Sequence, residues 1–134
     1  MLQITDIVIG TGKSAERGAL ISAHYVGTLA DGTEFDSSYS RGQAFECVIG
    51  TGRVIKGWDL GVLGRAVGEH FAGKFVIEND TMNLVKTLSP MQVGGIRQLI
   101  IPAHLAYGER AVGKIPSNSD LMFEIELLDV KTRE

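Results

Sequence analysis

Side chains alternate with a period of two along residues 121–130. Leu121, Phe123, Ile125 and Leu127 fall on one face, Glu124 and Glu126 on the other. A strand with one side against a core has this pattern. Residues 19–29, rich in Ile, Val and Tyr, predict a second, longer strand. Asp31-Gly32 follows and supplies the positive φ that a tight hairpin needs. Phe35 then opens the return strand, 37–42 read as loop, and 44–49 as a strand closed by Gly50-Thr51-Gly52. Residues 54–63, with Trp58, Leu60, Val62 and Leu63, predict a short helix. Residues 4–9 read as an edge strand, and Leu99-Ile100-Ile101 as a buried strand stopped by Pro102. The expected class is α+β, a mostly antiparallel sheet with one short helix.

Residues 65–90 break this rhythm. They carry a strand signal in Lys74-Phe75-Val76-Ile77, then a turn-like Asn79-Asp80. A short helix is expected over 81–88, with Asp80 as its N-cap. The apolar residues of this stretch, Phe71, Phe75, Val76, Ile77, Met82, Leu84 and Val85, are too few for an independent core.

Length and charge narrow the classes of function. At 134 residues with 44% apolar side chains, one domain is expected. Net charge is -3, which argues against a nucleic-acid groove. No apolar run is long enough to span a membrane, and the N-terminus lacks the pattern of a signal peptide. The single Cys47 fits a reducing compartment and a cytoplasmic location.

The common chemical motifs fail. Gly12-Lys13-Ser14 ends like a phosphate loop, but the position that requires glycine is Ile7. Gly10-Thr11-Gly12 lacks the helix that a dinucleotide fingerprint needs. His24, His70 and His104 are too scattered for zinc. Cys47, between Glu46 and Val48 mid-strand, reads as a small core or pocket residue rather than a nucleophile. No cofactor and no metal are expected. What remains is a set of aromatic and apolar residues near one carboxylate: Tyr25, Phe35, Asp36, Phe45, Val54, Ile55, Trp58, Tyr107 and Phe123. On pattern alone, a packed core is the simpler reading of these aromatics.

Several ordered motifs add a resemblance. The stretch from His24-Tyr25-Val26-Gly27-Thr28 through Phe35-Asp36-Ser37-Ser38 resembles the signature hairpin of the FKBP family of macrolide-binding peptidyl-prolyl isomerases. Val54-Ile55-Lys56-Gly57-Trp58-Asp59 resembles the entry to that family's helix. Val93-Gly94-Gly95, Ile101-Pro102, Leu105-Ala106-Tyr107-Gly108, Ile115-Pro116 and the closing 121–128 strand follow in family order. The match spans nearly all of residues 2–130 except 65–90, and joining Gly64 to Met91 restores an uninterrupted motif. The segment 65–90 is therefore expected to be an insertion in a single domain.

The resemblance implies an antiparallel half-barrel sheet wrapped around one short helix. It implies Trp58 as the floor beneath a prolyl ring, with Tyr25, Phe35, Phe45, Val54, Ile55 and Phe123 as walls. Tyr107 would donate its hydroxyl to one substrate carbonyl and the Ile55 N–H would bind another. Asp36 would stand at the wall near Tyr25. Residues 106–116, with Ile115, would form a flap. Implied partners are proline-containing peptides, unfolded or partly folded proteins and macrolides, with the chain a monomer. Four departures from the family pattern bear on the flap and wall: Cys47 stands where an aromatic is frequent, Lys114 where a second apolar residue is frequent, Ser117 where a second proline is frequent, and the flap is about one residue shorter than in common relatives. Three other readings compete with the enzyme: a proline-binding module, a folding helper whose insertion contacts clients, and an engineered scaffold carrying a grafted segment.

Overall fold

The computed structural model describes residues 2–64, 74–78, 81–85 and 89–132, with backbone alone for 74–78 and 81–85. Its strands are β1 (Gln3–Val8), β2 (Leu20–Leu29), β3 (Glu34–Ser37), β4 (Phe45–Val48), β5 (Lys74–Glu78), β6 (Thr81–Val85), β7 (Ile96–Ile101) and β8 (Leu121–Lys131). The α-helix α1 spans Lys56–Leu63. The strands form one open sheet in the order β3-β2-β8-β7-β1-β5-β6, with β4 also paired to β2.

The longest seam joins β2 to β8, from Leu20 opposite Lys131 to Leu29 opposite Leu121. Leu121, Phe123, Ile125 and Leu127 are all buried, as the alternation predicts. The pattern then slips. Ser22 faces Asp129 while Ala23 faces Leu127, so Leu128 is an extra, exposed residue and Val130 returns to the core. Such a bulge bends the strand and adds twist, which helps the sheet to curl around α1. Strands β3 and β4 lie end to end along the other side of β2, through Val26–Thr28 and Leu20–Ala23. The chain leaves that edge between them as a loop carrying Arg41.

Eight residues are too few for an isolated helix in water, so packing must hold α1. Trp58 and Val62 face the core at 3% and 0% exposure. One turn apart, Gly57 and Gly61 meet β7: a Cβ on either would lie 2.4 Å from Ile101 or 2.5 Å from Leu99. Only glycine admits so close an approach. Gly64 ends the helix at φ 64° with its N–H on Leu60 O, the usual left-handed stop.

The sequence and the structure differ in two elements. First, β1 is not an edge strand. It lies between β7 (antiparallel) and β5 (parallel), because the 65–90 segment extends the sheet beyond it. Second, a helix is expected over 81–88, but its described part, 81–85, is strand β6, paired with β5 from Glu78 opposite Thr81 to Lys74 opposite Val85. Backbone pairing with a neighbouring strand outweighs a weak local helix signal. The strand expected at 74–77 is present as β5. The Asn79-Asp80 turn lies outside the described residues.

One buried ion pair ties these parts together. Arg97 on β7, 2% exposed, donates from Nε to Asp6 Oδ1 at 2.6 Å and from Nη2 to Asp6 Oδ2 at 3.1 Å. Its Nη1 also donates to Gly61 O at 2.9 Å and Ser89 O at 3.0 Å. One guanidinium thus joins β1, α1 and the returning end of the inserted segment.

Candidate active site

Five aromatic rings meet above α1. Tyr25 comes from β2, Phe35 from β3, Phe45 from β4, Trp58 from α1 and Phe123 from β8. Trp58 packs nearly perpendicular to three of them, with centroids 5.2 Å from Tyr25, 5.5 Å from Phe123 and 5.7 Å from Phe45. Phe35 meets Phe123 at 5.5 Å and 90°. Edge-to-face packing of this kind satisfies the ring quadrupoles and fixes each ring. Gly27 leaves the room for it, since a Cβ there would lie 2.7 Å from Phe35 and 2.9 Å from Phe123. The rings do not close over one another. With Asp36, Arg53, Val54, Ile55 and Tyr107 they line a cavity of about 260 Å³.

One wall is polar. Tyr25 donates its hydroxyl to Asp36 Oδ2 at 2.5 Å, and Ser37 N–H donates to Asp36 Oδ1 at 2.8 Å. Arg41 Nη1 pairs with Asp36 Oδ1, and its Nη2 donates to Tyr25 Oη at 2.8 Å. The Arg41 guanidinium also lies over the Tyr25 ring, 5.5 Å from its centroid. Burial pushes the Asp36 carboxyl pKa up. The hydrogen bonds from Tyr25 and Arg41, the Arg41 charge and the Ser37 amide together outweigh it, and the net pKa lies below the ordinary carboxylate value. The Tyr25 phenol moves the other way, raised first by burial and then by its bond to Asp36. Asp36 is therefore a carboxylate at neutral pH and Tyr25 a neutral phenol.

The entry to α1 is shaped by a second carboxylate. Asp59 accepts the Gly50 N–H at 2.7 Å and the Gly52 N–H at 3.0 Å, holding the turn that leads into Val54 and Ile55. The Ile55 carbonyl accepts the Trp58 N–H at 3.0 Å. Its own N–H donates to no other described residue, and Ile55 is one of the residues lining the cavity. The Tyr107 hydroxyl likewise makes no hydrogen bond to a described residue.

The loop after the 3-10 turn Ala103–Leu105 is cross-tied. Gly108 N–H donates to Ala103 O at 2.8 Å, Asn118 N–H to Gly108 O at 2.8 Å, and Val112 and Ile115 exchange backbone hydrogen bonds. Ser117 donates its hydroxyl to Glu109 O at 2.8 Å. This side-chain bond adds a further tie across the loop.

Nine of the ten residues singled out from the sequence border this one cavity: Tyr25, Phe35, Asp36, Phe45, Val54, Ile55, Trp58, Tyr107 and Phe123. Ile115 does not line it and is buried with the core at 6% exposure. Arg53 and Arg41, which the sequence did not single out, stand at the wall. Arg41 follows Asp36 by five residues in an irregular loop, where no periodicity links the two. Cys47 is buried, and burial followed by the charge of Asp59 pushes its thiol up to about 11. A thiol so placed is not a nucleophile at neutral pH.

A half-open sheet wrapped on one short helix, with an aromatic cavity and one carboxylate at its wall, defines a class that comparison identifies. Residues 11–128 match the family of FKBP-type peptidyl-prolyl cis-trans isomerases, and the chain belongs to that family. It is similar to FK506-binding protein 4 of Neurospora crassa, 41% identical over 96% of this chain and 22% of that protein. It is similar to the chloroplastic peptidyl-prolyl cis-trans isomerase FKBP13 of Arabidopsis thaliana, 42% identical over 95% of this chain and 54% of that protein. The chain thus spans about a fifth to a half of the length of these relatives. The crystal structure of AtFKBP13 superimposes with a TM-score of 0.77 at 42% identity, covering 98% of this chain and 93% of that one. That of FkpA from Escherichia coli gives 0.71 at 34% identity, covering 97% and 48%.

Proposed function

We propose that this domain accelerates cis–trans rotation about X-Pro bonds in peptides and folding proteins. The observation that carries the reading is the ring-walled cavity over Trp58, with Asp36, Tyr107 and Ile55 at its border. The planar amide is held by resonance behind a barrier of about 18–20 kcal/mol. On twisting, the resonance is lost and the amide becomes less polar. Water favours the planar ground state, and an apolar enclosure removes that advantage. A wall shaped to the twisted form binds it better than either planar isomer. No covalent intermediate or cofactor is needed.

In this reading the prolyl ring rests on Trp58 between Tyr25, Phe35, Phe45, Val54 and Phe123. The Tyr107 hydroxyl and the Ile55 N–H hold the substrate carbonyls on either side. Asp36, fixed by Tyr25 and Arg41, sets the field across the twisting carbonyl. Macrolides whose ring imitates proline would bind the same cavity. The test is cis–trans exchange of a Leu-Pro or Phe-Pro tetrapeptide with micromolar protein. A rate above that in buffer is expected, and a rate equal to buffer would sink the reading. Flat calorimetric titrations with macrolides would count against an open pocket. The domain is read as a monomer of a reducing, cytoplasmic compartment, consistent with its single buried Cys47.

A second reading, a folding helper, is favoured by one observation. Strand β6 ends the sheet order and pairs on one side only among the described residues. Such an edge can take up an extended client strand.

A further inference from the structure

A second hollow, of about 560 Å³, opens on the far side of Arg53. Three cations from three separate segments line it: Arg17, Arg53 and Lys131, against the one acid Glu16. That local excess of two positive charges stands in a chain of net charge -3. Each cation is set by the backbone or by a fixed neighbour. The turn carrying Arg17 is closed by Ala19 N–H on Glu16 O at 3.0 Å and Gly18 N–H on Ile49 O at 2.8 Å. Lys131 faces Leu20 across the β2–β8 seam. Arg53 donates from Nη1 to Thr51 Oγ1 at 2.7 Å, and Thr51 in turn donates to Val48 O at 3.0 Å. At the rim, Lys13 Nζ donates to Thr132 Oγ1 at 2.8 Å and adds a fourth positive charge. Arg41 and Arg97 are engaged by carboxylates, whereas Arg17 and Lys131 form no ion pair with another described residue.

Arg53 lines both this hollow and the aromatic cavity. The two are therefore neighbours along one surface, and an extended chain leaving the cavity past Arg53 enters a cationic groove. We propose that this groove is an anion subsite for the flanking segment of the same peptide, so that the domain prefers prolines lying a few residues from acidic side chains. The inference rests on the aromatic cavity being the prolyl site. Exposed ion pairs are each weak, about 0.2–1 kcal/mol, so a cluster of side chains on both partners is needed for a measurable preference.

The test compares peptides of about ten residues, which span roughly 30 Å when extended. Each carries one central proline, with a run of Glu or of Gln on one side or the other. The Glu peptide on one side should show a KM lower by roughly three- to tenfold, with kcat unchanged. The advantage should fade with added salt. The double variant Arg17→Gln with Lys131→Gln should lose it while turning over the Gln peptide normally. The conservative pair Arg17→Lys with Lys131→Arg should keep it. Equal KM for Glu and Gln peptides on both sides would overturn the subsite and leave the prolyl pocket standing. So would a preference that persists in the Gln variant. No turnover of either peptide would overturn the pocket and the subsite together.

Discussion

Arg97 grips Asp6 through two parallel hydrogen bonds, 2.6 and 3.1 Å, with both residues at 4% exposure or less. The pair crosses from β7 to β1, and the same guanidinium reaches the carbonyls of Gly61 and Ser89. Removing one partner of a buried pair leaves a charge without compensation in a poorly solvated place. Asp6→Asn should lower the unfolding free energy by about 3–5 kcal/mol, read from urea denaturation. A loss under about 1 kcal/mol, the range of exposed pairs, would show that water reaches the pair.

The Asp36 carboxyl has a pKa below its ordinary value of 3.8. A depressed folded-state pKa contributes stability above the unfolded value, and that contribution disappears as pH falls through the folded value. Isomerase activity should therefore be level from neutrality down to about pH 4, the unfolded value, and fall only below it. Asp36→Asn should be slower at neutral pH and lose the acid limb. A wild-type profile with a midpoint near pH 6 would mean that another group governs the rate.

Trp58 and Tyr107 should separate floor from hydrogen bonding. Trp58→Ala empties a large buried ring site and should cost about 3–5 kcal/mol of stability along with activity. Tyr107→Phe removes one hydroxyl that no described residue needs. Thermal stability should be nearly unchanged, and kcat/KM should fall by up to about tenfold, the worth of one neutral hydrogen bond. Unchanged kcat/KM in both Tyr107→Phe and Asp36→Asn would leave apolar enclosure as the whole mechanism.

Deleting 65–90 and joining Gly64 to Met91 should leave a folded, active isomerase. The ends of the segment are already close: Met91 N–H donates to Val62 O at 2.9 Å, and a Cβ on Gly64 would lie 2.2 Å from Ser89 O. The deletion returns β1 to the sheet edge and removes the Ser89 acceptor of Arg97, so a lower unfolding midpoint is expected. Circular dichroism and tetrapeptide turnover check both points. An unfolded product would make the segment part of the core. A client role for the β6 edge predicts that refolding of larger proteins suffers more than tetrapeptide turnover, and equal losses would exclude it.

The strands that face a core on one side were legible from sequence, because alternation is written residue by residue. Leu121 to Leu127 on β8 is the plainest case, and the 31–32 turn shows the same local logic: Gly32 has φ 89° and its N–H reaches Leu29 O at 2.9 Å. The aromatics of the cavity were visible as residues. That they meet was implied by a resemblance, since no periodicity joins Tyr25 to Phe123. Tertiary structure alone decided what depends on pairing across the chain. Thr81–Val85 became a strand because β5 lies beside it, and β1 left the edge for the same reason. Arg97 and Asp6, 91 positions apart, look like two ordinary surface charges in the sequence. Arg53 became the wall shared by two hollows only once the turn at Thr51 was folded. Local pattern reports which face of an element is apolar. Which element that face meets depends on how the intervening chain folds back, and no short window of sequence contains that information.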